Sequence, residues 1–180
     1  MRTDRLHQEY GVELRFTAFP LHPETPEEGM ELSKLFAGRE ELFEAMQTKL
    51  AYVAAIEGIP LTKRTRTYNS RLAQELGKLA ESQGVGDPFH RAVYRAFFVD
   101  GINIALIDEL LIIAESVGIQ AVEARAALLT RGFAAAVDAD WQRSRDMRIT
   151  AVPTHLYKVK RFAGFGTYDD FVSLIGVGKR

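Results

Sequence analysis

The sequence predicts an α/β fold in which strands from both ends of the chain share one sheet and the middle forms a large helical insertion. Val12, Leu14 and Phe16 alternate with polar residues, which is typical of a half-buried strand. Residues 30–147 carry apolar residues at helical spacing, and residues 149–165 return to short β-rich stretches. Because neither end could bury its apolar face alone, we expect the end strands to lie in the same sheet.

The elements are separated by glycine and proline. A short first helix ends at Gly11, and three prolines break the chain after the strand at 12–16. Helices are predicted over 39–57, from Asn69-Ser70 to Gly84, from Asp87-Pro88 to Gly101, and over 107–117, 121–129 and 131–145. Strands follow near 156–159 and 162–165, and Thr167 caps a last helix. This order predicts a discontinuous sheet-containing part (1–28 and 148–180) and a helical insertion (29–147).

Composition excludes several classes of protein. The 180 residues carry a net charge of −1, which argues against a dedicated nucleic-acid-binding protein. No apolar run approaches the ~18 residues of a membrane span, so we expect no membrane association. The residues after Met1 form no apolar signal-peptide region, which predicts a cytoplasmic location.

The chain contains no cysteine, which excludes disulfides, thiolate zinc sites and cysteine nucleophiles in these residues. The four histidines, at 7, 22, 90 and 155, never occur at a spacing of three or four, so no metal site is expected. Asp138 and Asp140 cannot face each other on one helix, and we expect them to face solvent beside a buried Trp141.

Several segments occur in the order and at the spacing of a known family: RFTAFPLHPETPEEG (15–29), YNSRLAQEL (68–76), HRAVYRAFFVDGINI (90–104), LLIIAESVGI (110–119), ITAVPTHLY (149–157) and GTYDDFVSLI (166–175). On these segments the chain resembles the DsbA-like family, and within it the FrnE-like dithiol–disulfide isomerases. The resemblance covers almost the whole chain. It implies a thioredoxin-like sheet with a helical insertion, and thiol–disulfide oxidoreductase or disulfide isomerase activity.

The resemblance also implies binding residues. Val152, Pro153 and Thr154 match the family's cis-proline loop, whose backbone pairs with a polypeptide or with a small thiol or disulfide substrate. His22 lies in a matched loop and Asn69 at a matched helix start, so both are expected to line the cleft. Asn69 could instead be only an N-cap, and His155, after the proline loop, could line the site or point away from it. No cofactor is implied.

The sequence departs from the family at its redox centre. The family's Cys-x-x-Cys is absent, and so is the serine that related kappa-class glutathione transferases and 2-hydroxychromene-2-carboxylate isomerases use. Met1 falls where the family's first helix is already under way, so the strand before it is missing. We therefore expect residues 1–180 to be redox-inactive. We expect them to be a truncated product or, alternatively, a chain in which a second copy or a swapped strand fills the gap.

Two alternatives remain open at this point. The chain could be a relative of the kappa-class glutathione transferases and 2-hydroxychromene-2-carboxylate isomerases that binds glutathione at the proline loop. It could also be a thioredoxin-like module that binds extended peptide without catalysis.

Overall fold

The computed structural model describes residues 2–177, which divide into two compact units. The first unit is Met1–Leu21 with Asp138–Arg180, and the second is His22–Val137. Both contain helices and a two-stranded antiparallel sheet, so the fold is mixed α/β as predicted. None of the helices among residues 2–177 could span a bilayer.

The second unit is mainly helical. Its helices are α2 (Leu32–Leu35), α3 (Glu40–Ile56), α4 (Arg71–Ser82), α5 (Gly86–Phe98), α6 (Ile107–Glu115) and α7 (Ala121–Leu129), followed by the start of α8 (Ala134–Asp146). Two strands, β1 (Met30–Glu31) and β2 (Arg66–Thr67), pair antiparallel, with Met30 opposite Thr67.

A continuous apolar core holds α4 to α7 together. Leu76, Phe89 and Leu110 have no exposed surface and come from three successive helices. They occupy positions that the three- and four-residue spacing of apolar residues assigns to the inward helix faces. The core consists of Ala73, Leu76, Leu79, Ala80, Phe89, Val93, Ala96, Ile104, Leu110, Leu111, Ile113, Ala114, Ile119, Ala124 and Leu128.

The first unit contains a small sheet packed against helices. It comprises α1 (Arg2–Tyr10), the end of α8, β3 (Thr154–Tyr157), β4 (Lys160–Ala163) and α9 (Tyr168–Ile175). In β3 and β4, Thr154 lies opposite Ala163 and Tyr157 opposite Lys160. As predicted, Thr167 is the N-cap of α9, and it forms a reciprocal capping box with Asp170.

The predicted strand at 12–16 is wrong. These residues form no strand, and Leu14, on the apolar side of the alternation, is exposed. A strand needs a hydrogen-bonded neighbour, and among residues 2–177 the strand β3 pairs with β4 alone. The expected sheet between the two ends is therefore replaced by two separate sheets, each of two strands. A smaller correction concerns α5, which begins at Gly86, so Asp87 lies in the first turn rather than at the N-cap.

Candidate functional site

The loop before β3 holds Val152, Pro153 and Thr154, three of the five residues predicted to bind substrate. The Val152–Pro153 peptide bond is cis, and both residues are exposed. The Pro153 carbonyl accepts a hydrogen bond of 2.7 Å from the Gly164 N–H, and the Thr154 hydroxyl donates one of 2.6 Å to the Ala151 carbonyl. The loop is thus fixed to the end of β4 on one side.

The other side of this loop is open. Among residues 2–177, β3 has no second strand beside it, and the backbone groups of Val152 have no hydrogen-bond partner. An unpaired strand edge presents N–H and C=O groups to any extended chain that approaches it. The loop and the edge of β3 can therefore accept an added strand.

His155 points away from this edge, into the packing of the first unit. Its ring centroid lies 4.7 Å from those of both Phe162 on β4 and Phe171 on α9. Burial lowers the pKa of His155, although a hydrogen bond with the Gly164 backbone opposes the shift. The ring contacts with Phe162 and Phe171 favour the alternative in which His155 points away from the binding site.

Asn69 fixes the loop that carries His22, in the second unit. The Asn69 amide donates hydrogen bonds of 3.1 Å to the Pro23 carbonyl and 2.8 Å to the Thr25 carbonyl. Its side-chain oxygen accepts the Arg71 N–H at 2.9 Å, an Asx-type turn before α4. Both amide N–H groups of Asn69 are thus engaged within the second unit.

A second asparagine fastens the same loop. Asn103 donates a hydrogen bond of 3.0 Å to the Glu27 carbonyl, and its oxygen accepts the Ala105 N–H at 2.9 Å. Thr25 is buried between these attachments. His22 lies at the start of the loop and is exposed. Loss of part of its hydration, together with the positive charge of Arg39, lowers the pKa of His22.

Asp140 differs from the sequence prediction, which placed it in solvent. It is buried on α8, and its carboxylate accepts the Ala18 N–H at 2.9 Å. The predicted core residue Trp141 is only partly buried. No local signal marks Asp140, because its partner lies 122 positions earlier in the chain.

Sequence analysis also missed a buried ionic cluster on α4. Glu75 is 1% exposed and lies between two arginines. The Arg71 Nε donates to Glu75 Oε1 at 2.6 Å, while Arg131 donates to both carboxylate oxygens at 2.6 and 2.8 Å. Burial acts to raise the pKa of Glu75, but the hydrogen bonds from Arg131 and Arg71 outweigh it, so the pKa is lowered. Arg71 additionally donates to the Ala134 carbonyl at 3.0 Å, which ties α4 to the start of α8.

The buried carboxylates of the described residues are engaged within the protein. The sequence supplies no thiol, and residues 2–177 hold no group of three histidine, aspartate or glutamate side chains that could hold a metal ion. The buried carboxylates of Asp140 and Glu75 are engaged by protein donors. The open edge of β3 adjoins the loop predicted to bind substrate, and an extended chain can pair with it directly.

Comparison with known proteins agrees with this architecture. A model of the DSBA-like thioredoxin domain matches residues 1–176. No curated protein matches the sequence significantly.

Solved structures share the fold over nearly the whole chain. A probable DsbA oxidoreductase from Streptomyces coelicolor is similar with a TM-score of 0.85 and 22% identity, over 97% of this chain and 80% of that one. A 2-hydroxychromene-2-carboxylate isomerase gives a TM-score of 0.72 and 19% identity over 96% and 83%. A candidate protein disulfide isomerase from Nitrosomonas europaea gives 0.68 and 16% over 97% and 86%.

Proposed function

Because the chain belongs to the DSBA-like thioredoxin domain family, we propose that it binds extended polypeptide as a thiol–disulfide oxidoreductase or isomerase does, without dithiol chemistry of its own. Disulfide exchange needs a thiolate that attacks a substrate disulfide and a second thiol that resolves the mixed disulfide. Residues 1–180 contain no cysteine and supply neither sulfur. Any redox step on a bound substrate must therefore use a thiol from outside residues 1–180.

The open edge of β3 carries this proposal. Pro153 is anchored to Gly164 on the β4 side, so the exposed Val152 and the first residues of β3 keep a defined backbone conformation. A peptide that adds a strand gains main-chain hydrogen bonds at little ordering cost to the protein. Binding of this kind depends on the peptide backbone more than on its side chains.

The experiment uses a cysteine-free extended peptide and the same peptide N-methylated at every residue. Full methylation removes the N–H groups from both edges of the peptide, so no shift of register restores the main-chain hydrogen bonds. We expect the unmethylated peptide to bind, with amide chemical-shift changes at Val152 and Thr154, and the methylated peptide not to bind. Equal binding of the two peptides would show that no strand is added at this edge.

Redox activity gives a separate prediction. Purified residues 1–180 should not accelerate the reduction of insulin disulfides by added dithiothreitol, because none of these residues can form a mixed disulfide. Turnover under these conditions would contradict the proposal. Heat-treated protein serves as the control for contaminating reductants.

A glutathione-binding function is the second candidate, favoured by the same loop and by the similarity of fold to the 2-hydroxychromene-2-carboxylate isomerase. Glutathione is a short peptide and could use the same backbone groups at Val152. Calorimetry with glutathione distinguishes the two functions. Saturable glutathione binding with no peptide binding would favour the second candidate, and peptide binding alone would favour the first. The cytoplasmic location and the small thiol or disulfide partner stay predictions.

A further inference from the structure

A groove in the first unit runs between the outer edge of β4 and the helix α9. Its volume is about 580 Å³, within the range of roughly 300–1,000 Å³ that small-molecule sites occupy. The groove is lined by residues 160–163 of β4, by Phe165 and Gly166 of the following turn, and by Asp170, Ser173 and Leu174 of α9. The residues predicted to bind substrate before β3 are not among them, so the groove is a separate candidate site.

The backbone of β4 directs hydrogen-bonding groups into this groove. Opposite residues of an antiparallel pair alternate between hydrogen-bonded and non-hydrogen-bonded positions. The Gly164 N–H donates to the Pro153 carbonyl at 2.7 Å. The residues two and four positions before Gly164 therefore also bond to β3, whereas Arg161 and Ala163 turn their N–H and C=O groups to the outer edge. Among residues 2–177 no strand pairs with that edge.

The groove also has an apolar wall that is held in place. The Phe162 ring packs against Phe171 with a centroid separation of 5.2 Å. It lies across Gly166, where an added Cβ would come within 2.5 Å of the ring, so glycine makes room for it. Phe165 is 56% exposed, and Leu174 is buried beside it in the lining. The wall thus offers aromatic and aliphatic surface to the apolar part of a ligand.

Two cations of β4 border the groove without a counter-charge. A Cβ added at Gly176 would lie 3.4 Å from the Lys160 Nζ, so the Lys160 side chain reaches to the end of α9. The Arg161 guanidinium donates to the Met147 carbonyl at 2.6 Å, which is a neutral partner. Within residues 2–177 neither cation forms an ion pair with a carboxylate. Such cations are suited to charge-assisted hydrogen bonds with an anionic ligand.

The acidic side chain of the described lining is engaged locally. The Asp170 carboxylate accepts the Thr167 N–H at 2.7 Å and the Thr167 hydroxyl at 2.8 Å. The Arg2 guanidinium adds a further positive charge, because it lies 4.1 Å from the centroid of the Phe165 ring. The groups in and beside the groove therefore carry three positive charges and one negative charge.

We propose that this groove binds a small carboxylate with an apolar body. The carboxylate pairs with Lys160, and the apolar body lies against Phe162 and Phe165. The cations disfavour other occupants, because lysine on an edge strand opposes the addition of a further strand. A second copy of this chain would bring its own two cations to the same edge. The strand β3 carries no lysine or arginine, so this argument does not apply to its open edge.

Calorimetry with octanoate and octanol tests the role of charge. The two probes share an apolar chain, and octanol lacks the carboxylate. We expect saturable octanoate binding that is about tenfold weaker in Lys160→Met, because this variant keeps the side-chain length but loses a charge-assisted hydrogen bond. Octanol should bind weakly and equally to both proteins. Lys158→Met is the control and should leave octanoate binding unchanged, since Lys158 lies outside the groove, 5.4 Å from the Tyr157 ring centroid.

Amide chemical shifts and a blocking variant test the position. Octanoate should shift the signals of Arg161 and Ser173 and leave Val152 unchanged, which separates this site from the loop of the proposed function. Ser173 is exposed, so Ser173→Phe should fold normally by circular dichroism and lose octanoate binding by filling the groove. Absence of saturable octanoate binding would overturn the proposal. So would equal binding by Lys160→Met or Ser173→Phe and the wild type, or shifts centred on Val152.

Discussion

The buried carboxylate of Glu75 makes a sharp prediction for stability. Glu75→Gln keeps the shape of the side chain but removes the negative charge between Arg71 and Arg131. Three charge-assisted hydrogen bonds are weakened, and two arginines lose their counter-charge. Removing one member of a fully buried pair costs about 3–5 kcal/mol. Arg131 is 49% exposed and can regain water, so we expect a loss of about 2–4 kcal/mol for this variant.

Chemical denaturation at neutral pH measures this loss. The denaturant concentration at the unfolding midpoint should fall by the expected loss of unfolding free energy divided by the m-value, and the m-value itself should not change. Glu31→Gln is the control, because Glu31 pairs with Arg66 at a half-exposed site and should cost less than about 1 kcal/mol. Equal losses for the two variants would refute the argument that burial gives Glu75 its importance.

The same variant should change the response to acid. The pKa of folded Glu75 is lowered from its ordinary 4.5, so its contribution is complete above that value and is lost as pH falls through the folded pKa. Wild-type protein should therefore lose stability in this acid range more steeply than Glu75→Gln. Identical slopes would show that Glu75 titrates normally in the folded chain.

Two further predictions concern the first unit, and a third compares it with the second. Thr167→Ala removes the N-cap of α9 and should cost about 1 kcal/mol in unfolding experiments, whereas Thr167→Ser should cost little. His155→Phe should stabilise the chain below the ordinary histidine pKa of 6.5, because burial lowers the folded pKa of His155 and acid then favours the unfolded chain; an unchanged pH profile would contradict this. Amide hydrogens of β3 and β4 should exchange faster than those of α4 and α5, because the continuous core lies in the second unit; uniform protection would refute the difference.

Local signals predicted the helices and the family well. The cap at Thr167 depends on residues three positions apart, and the apolar spacing around Leu76 and Phe89 depends only on helix geometry. Such features follow from a few neighbouring residues. The family match over residues 1–176 confirms the resemblance to the DsbA-like family that the ordered segments indicated.

Features that depend on distant partners were not predictable in this way. The alternation at 12–16 fits a strand, but a strand exists only where another strand pairs with it. The buried Asp140 is paired with the Ala18 N–H, 122 positions earlier in the chain. The buried Glu75 is paired with Arg131, 56 positions later. The hydrogen bonds of Asn69 and the ring contacts of His155 are likewise made with groups that no local pattern identifies.

The two asparagine attachments have a consequence for sequence variation. Asn69 and Asn103 hold the loop that begins at His22 through the carbonyls of Pro23, Thr25 and Glu27. Every amino acid has a carbonyl, so the attachment does not specify the side chains it holds. Apart from the buried Thr25, the loop can change its surface chemistry freely while its path stays the same. Natural relatives and designed variants can therefore acquire different surfaces here without a new scaffold.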